Sequence, residues 1–221
     1  MNYLAHGYRF LDSPLFLAGT AVPDWLSVAD RRVRVRSKHL TVRLPELPTD
    51  SQQLVSGMLQ HLHDDDLFHR SEMFLMLESE IGSRFRFRMP DPYDHRPGFL
   101  GHIVTELMLD AVLAEQQPEL LRSYYAAISS VSSESIQQTV NLVATRSTDK
   151  LTFFVDRFRE IEFLYDYLDD RPLMTRLNQV LRRVTLPVLD EQCLPVLHEA
   201  RLLLRTHGDR LLRSVESGNE R

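Results

Sequence analysis

Apolar residues recur every three to four positions through most of this chain, and that spacing restricts it to packed helices. Leu100, Ile103, Val104, Leu107, Met108, Ala111 and Ala114 keep the i, i+3, i+4, i+7 pattern across 99–116. Leu54, Val55, Met58, Leu59 and Leu62, followed by Met73, Phe74, Leu77 and Ile81, do the same over 52–81. Segments 118–130, 134–147, 151–170, 173–184 and 191–213 also read as helices. Pro118 stands where it can open one, Pro172 is expected to end the 151–170 stretch, and Pro187 and Pro195 mark further boundaries. The Ser-rich break before 134 shows no clean capping box. Asn-Gly and Asp-Gly hairpin signals are absent. Only 30–50 departs from the pattern. It is basic and then Pro-rich, and its Val/Arg alternation suggests a short strand or an extended loop. The expectation is an all-α, single-domain helical bundle over 1–215, with a frayed tail at 216–221. With 43% apolar residues, 221 residues suffice for one core.

Charge and cysteine content narrow the function. The net charge of −5 argues against nucleic-acid binding driven by overall charge. A single cysteine, Cys193, rules out an intrachain disulfide or a cysteine zinc cluster and fits a reducing compartment. The N-terminus lacks a basic stretch followed by an apolar run, and no segment reaches ~18 consecutive apolar residues. A soluble cytoplasmic protein without a membrane span is therefore expected.

Against this background, "GMLQHLHDDDLFH" (57–69) stands out for its three histidines and three aspartates. On a helix, i, i+4 and i+8 share one face, which groups His61, Asp65 and His69. His102, Glu106 and Asp110 have the same spacing in 99–116. Both stripes flank an apolar arc, where a carboxylate is costly unless paired or bound to a cation. Imidazoles and carboxylates together suit Mn, Fe or Zn better than Mg or Ca. By the same geometry His63, Asp64 and Asp66 should face solvent. His6 in "NYLAHGY" and Asp24 in "GTAVPDWL" are single polar residues among apolar ones. Each has an ordinary reading, as a core histidine and as a helix N-cap, beside its reading as a ligand.

These motifs resemble the acyl-carrier-protein phosphodiesterase family. "MNYLAH", "LAGTAVPDWL", Gly57-x-x-x-His61-x-x-x-Asp65 and "ELMLDAVLA" follow that family's order and spacing over residues 1–115. The resemblance implies an all-helical fold related to HD-type phosphohydrolases, and a divalent metal, manganese first with iron or zinc as alternatives. It implies a phosphodiester substrate, either holo acyl carrier protein or another phosphorylated molecule. It places His6, Asp24, His61, Asp65 and Asp110 on the family's metal-site positions. The chain departs from the pattern at Leu62 (Arg in the family), His69 and Glu106 (Asp in both) and Ala111 (His), and His102 adds a nitrogen that the pattern does not require.

The residues thus point to a metal-dependent phosphohydrolase. His6, Asp24, His61, Asp65, His102 and Asp110 are the candidate ligands, and Glu106 or His69 the general base or proton shuttle. Arg31, Arg32, Arg34, Arg36 and Lys38 offer a basic segment for a phosphate or an acidic carrier, or form a plain solvated loop. A di-iron oxygen-binding site would use similar ligands. The aromatic residues Phe153, Phe154, Phe158, Phe163, Tyr165 and Tyr167 fit a core or a partner groove, so a non-catalytic helical scaffold is the third reading. His95, His198 and His207 follow no pattern and are expected at the surface or at helix ends.

Overall fold

The computed structural model describes residues 1–89 and 96–219, the side chains of 217–219 excepted, and the regular elements among them are all helical. In chain order they are α1 (Tyr3–Gly7), α2 (Pro14–Ala29), α3 (Ser37–Arg43), α4 (Thr49–Arg70), α5 (Glu72–Arg88), α6 (Pro97–Gln116), α7 (Leu120–Ser129), α8 (Ser133–Val143), α9 (Leu151–Ile161), α10 (Asp170–Arg183) and α11 (Leu194–Asn219). Short 3-10 turns join several of them.

Local caps set the boundaries. Ser71 is extended, and its hydroxyl accepts from the Phe74 N–H, so the 52–81 stretch is two helices rather than one. Ser132 caps α8 in the same way, accepting from the Ser135 N–H, although no capping box announces it. The 151–170 stretch stops early. Glu162 takes a left-handed conformation (φ 47) and ends α9, and a 3-10 turn over Phe163–Leu168 follows. Pro172 therefore lies in the first turn of α10, capped by Asp169, where a missing N–H costs nothing. Of the strand or extended loop expected in 30–50, no strand forms, and loop is confined to 30–36 and 47–48. Residues 37–43 are helical and Leu44–Glu46 is a 3-10 turn. Asp24 is inside α2, with Pro23, and is not an N-cap. α11 runs to Asn219, through most of the expected fray, while Glu220, Arg221 and His95 lie outside the described residues.

The chain divides into two compact units, each drawing on both halves of the sequence. One comprises Met1–Asn2, Leu67–Pro118 and Leu164–Arg221; the other comprises Tyr3–Asp66 and Glu119–Phe163. In the first, α5, α6 and α11 pack on one another through Phe74, Leu77, Ile81, Leu100, Val104, Met108, Leu197 and Leu204, all fully buried. Its buried Arg201 ties α11 to Asp170, to Glu115 and to the Tyr167 carbonyl. By length and composition α6 would cross a membrane, yet 67% of its apolar window is buried inside the protein, as befits a core helix. In the second unit Phe158 sits among Tyr3, Trp25, Tyr125 and Phe163, with ring centroids 5.1–5.5 Å away. The aromatic run of α9 is thus partly core. Phe153 of the same helix is 72% exposed.

A pair of facing glycines in each unit brings two helices unusually close. A Cβ on Gly57 of α4 would lie 2.0 Å from the Phe16 carbonyl oxygen and 2.9 Å from the Gly19 Cα. The reciprocal atom on Gly19 of α2 would lie 2.0 Å from the Leu54 carbonyl oxygen. In the other unit, a Cβ on Gly101 of α6 would lie 2.1 Å from the Glu78 carbonyl oxygen and 2.9 Å from the Gly82 nitrogen. No larger residue fits either crossing without moving backbone. One candidate centre lies beside each of them.

Candidate metal centres

The eight sequence candidates fall into two groups of three and two outliers. His6, His61 and Asp65 come together in one unit, and His69, His102 and Glu106 in the other; within each group the possible ligand atoms lie within 4.8 Å of one another. Helix geometry explains why the stripe on α4 serves two groups. His69 is eight residues beyond His61, which is ~12 Å along the axis and ~80° round it. A single ion with ligands at about 2.0–2.2 Å cannot span that. Asp24 is half-buried on α2 and Asp110 fully buried on α6, and neither joins a group among the described residues. Asp110 is offset from His102 by the same ~80°.

The first group begins with the close crossing of α2 and α4. Gly19 and Gly57 let the backbone of Thr20 approach His61, whose Nδ1 is 2.7 Å from the Thr20 carbonyl oxygen. A carbonyl only accepts, so Nδ1 carries the proton and Nε2 presents its lone pair. That lone pair is 3.7 Å from Asp65 Oδ2. His6 from α1 stacks on His61, with centroids 3.8 Å apart at 25°, and its Nε2 lies 3.3 Å from Asp65 Oδ1. Both imidazoles are buried, and neither His6 nitrogen has a partner in hydrogen-bond geometry among the described residues. A first-row ion with ligands at about 2.1 Å keeps adjacent ligand atoms roughly 3.0–3.5 Å apart, close to the spacing seen here.

Burial and the charge on His6 push His61 down to about 3, so its ring is neutral at physiological pH. Burial also works against His6, but the facing carboxylates of Asp64 and Asp65 outweigh it and raise its pKa.

Asp64 corrects the sequence expectation. It is completely buried rather than solvent-facing, whereas His63 and Asp66 are exposed as expected. Its carboxylate accepts from Arg9 at 3.1 Å and from Gln60 at 2.7 Å. Arg9 was not singled out in the sequence. It lies in the 3-10 turn after α1, its side chain is 25% exposed, and its buried Nε has no hydrogen-bond partner among the described residues. Arg9 thus places a guanidinium beside the group.

The second group lies where α6 crosses α5. His69 Nε2 is 3.0 Å and His102 Nε2 3.4 Å from the same oxygen, Oε1 of Glu106. The two rings stack at 4.8 Å and 19°, with Phe74 edge-on to both. The other nitrogen of His102, Nδ1, faces Glu78 Oε1 at 3.4 Å. The α-amino group of Met1 also donates to Glu106, at 3.2 Å. Burial alone would raise the Glu106 carboxyl, but the Met1 amine and both histidines hold it well below the usual carboxylate range. Glu106 in turn raises the pKa of His102. His69 and His102 are each about one-third exposed, at 32% and 33%, so this group is open to solvent on one side.

Among the described residues the other histidines carry no such arrangement: His39 and His63 are exposed, His198 is 61% exposed beside Asp170, and His207 is half-buried. The chain matches no protein-family model, no characterised protein and no solved structure.

Proposed function

We infer that the chain is a metal-dependent phosphohydrolase or phosphodiesterase of the acyl-carrier-protein phosphodiesterase type, acting in the cytoplasm. Its cation would be held by His6, His61 and Asp65. The observation that carries this reading is the orientation of His61. The Thr20 carbonyl fixes the proton on Nδ1, so a buried imidazole lone pair is aimed at a carboxylate, an unfavourable pairing unless a cation lies between them. Two nitrogens and a carboxylate suit Mn, Fe or Zn, with manganese favoured by the family resemblance. A divalent ion there supplies an acidified water and a Lewis acid for a phosphoryl oxygen. Thr20 keeps His61 in the ligating tautomer, and Asp64 holds Arg9 in place. Arg9 offers its partly exposed guanidinium to a phosphate oxygen. The exposed basic residues Arg31, Arg32, Arg34, Arg36 and Lys38 suit an acidic carrier protein, and a phosphorylated small molecule is the alternative substrate.

Elemental mass spectrometry of protein purified without chelator, alongside assays on an aryl phosphodiester and on holo acyl carrier protein, tests this. Stoichiometric Mn, Fe or Zn and phosphodiester cleavage, both lost in Asp65→Asn, are expected. Bound iron with a visible band and no phosphodiester turnover would favour oxygen chemistry instead, and metal-free protein after reconstitution would leave a scaffold. A second expectation concerns Arg9. Arg9→Lys keeps the charge against Asp64 but loses the forked donor set, so KM for the phosphodiester should rise about 10-fold while metal content is unchanged. An unaltered KM would remove Arg9 from the substrate site.

A further inference from the structure

The second group is more than a helix-surface ion pair. An ordinary i, i+4 pair needs one histidine and one carboxylate, as His102 and Glu106 provide at 3.4 Å. Here a second imidazole, from another helix, is stacked on the first, and both Nε2 atoms converge on one carboxylate oxygen. The far nitrogen of His102, Nδ1, faces a further carboxylate, Glu78, at 3.4 Å, and that carboxylate would hold the ring with Nε2 turned to an ion. Metal-bound histidines are held by this outer carboxylate. The Gly82–Gly101 crossing makes it possible, because it brings the α5 backbone at Glu78 against the residue preceding His102.

We propose that His69, His102 and Glu106 form a second cation site, independent of the His6 group and selective for a first-row transition-metal ion. Two imidazoles and one carboxylate are the donor set of open facial sites, and nitrogen ligands disfavour Mg²⁺ and Ca²⁺. Phe74 walls one side of the rings, and the partly exposed side leaves positions for water or an exogenous ligand. Glu78 acts as a positioning residue rather than a ligand.

The test is a Co²⁺ titration of chelator-stripped full-length protein, read by visible absorption and by equilibrium dialysis with elemental analysis. Wild type is expected to bind two Co²⁺, and the double variant His69→Gln, His102→Gln one, with an unchanged circular dichroism spectrum. Asp65→Asn should keep the ion bound at the second site, and a large excess of Mg²⁺ should not displace it. Glu78→Gln should weaken that ion 10- to 100-fold without changing the stoichiometry, which a mere surface ion pair would not do. Glu106→Gln repeats the test on a second ligand should the double variant fold poorly. Cobalt binding in the double variant and in Glu106→Gln that matches wild type in number and affinity would overturn the proposal. One ion in wild type, lost in the double variant and kept in Asp65→Asn, would leave the second site standing and remove the His6 centre on which the proposed hydrolase rests.

Discussion

Replacing Gly57 with alanine is expected to destabilise the protein by about 3 kcal/mol or more and to abolish metal binding at the His6 group. The new Cβ would lie 2.0 Å from the Phe16 carbonyl oxygen and 2.9 Å from the Gly19 Cα, and both are backbone atoms that cannot rotate away. The helices must separate by more than an ångström, and core contacts on both sides go with them. His61 is one turn further along α4, and its bond to the Thr20 carbonyl is set by the same crossing. Losing that bond frees the ring and with it the ligating tautomer. Propensity pulls the other way, because alanine in a helix is better than glycine by about 1 kcal/mol. The sign of the result therefore decides between packing and propensity. Gly98→Ala is the control. Gly98 lies in the first turn of α6, and a Cβ there meets nothing among the described residues within 4 Å, so that variant should be neutral or slightly stabilised. Thermal unfolding would read the Gly57→Ala loss as a drop on the order of 6–12 °C. A melting temperature equal to or above that of wild type would mean that the helices do not cross this closely.

The two glycine crossings also show which features were readable from the sequence. Apolar spacing located the helices from α4 onward but not α1, α2 or α3, and of the periodic residues on 99–116 all but the half-buried Ile103 are buried in α6. Proline was ambiguous, since one that cannot continue a helix is welcome in the first turn of the next. Pro172 was therefore read as an end when it lies at a beginning. The metal stripe on α4 was legible as a face but not as two groups, because the ~80° turn between His61 and His69 matters only once partners from other helices are in place. Those partners are remote. Arg9 reaches Asp64 across 55 residues and His61 reaches the Thr20 carbonyl across 41, and no local pattern encodes either contact. Asp64 looked solvent-facing because one of the groups that accompany it in the interior, Arg9, is 55 residues away in sequence. A signal was available in the glycines, since Gly57 precedes His61 by one turn and Gly101 immediately precedes His102. A glycine deep in a helical pattern beside a metal-type histidine marks a close backbone approach.

Unfolding of the chelator-treated protein across pH is expected to give a dome of stability with its crest near pH 6.5, and His61→Gln should flatten the acid side of it. Three groups of the His6 centre contribute to the curve, beside the depressed Glu106 and the raised His102 of the other group. His61 stays neutral in the folded state until pH falls to about 3, while in the unfolded chain it takes up a proton near 6.5. Between those values the unfolded state binds more protons, so acid favours unfolding, with a ceiling of roughly 5 kcal/mol for the full shift. From pH 6.5 to 4.5 the loss due to His61 should be about 2–3 kcal/mol, a large part of a typical domain's 5–15 kcal/mol. Asp65 adds to the loss at lower pH. Burial alone would raise its carboxyl, but nearby positive charge, His6 included, outweighs that and depresses it, so its stabilisation is present above the ordinary aspartate range and fades below. His6 acts in the opposite sense. Its folded pKa is raised, so its stabilisation is complete below 6.5 and is lost as pH climbs through that raised value. Urea midpoints at pH 4.5, 6.5 and 8.5, with EDTA present, would trace the dome. His61→Gln keeps a donor for the Thr20 carbonyl but cannot titrate, so its curve should run level between 6.5 and 4.5 where the wild type falls. His6→Gln should lessen the alkaline decline instead, leaving the part due to the raised His102. Parallel wild-type and His61→Gln curves over the acid limb would mean that His61 is not held neutral in the fold, and the tautomer assigned to it would have to be abandoned.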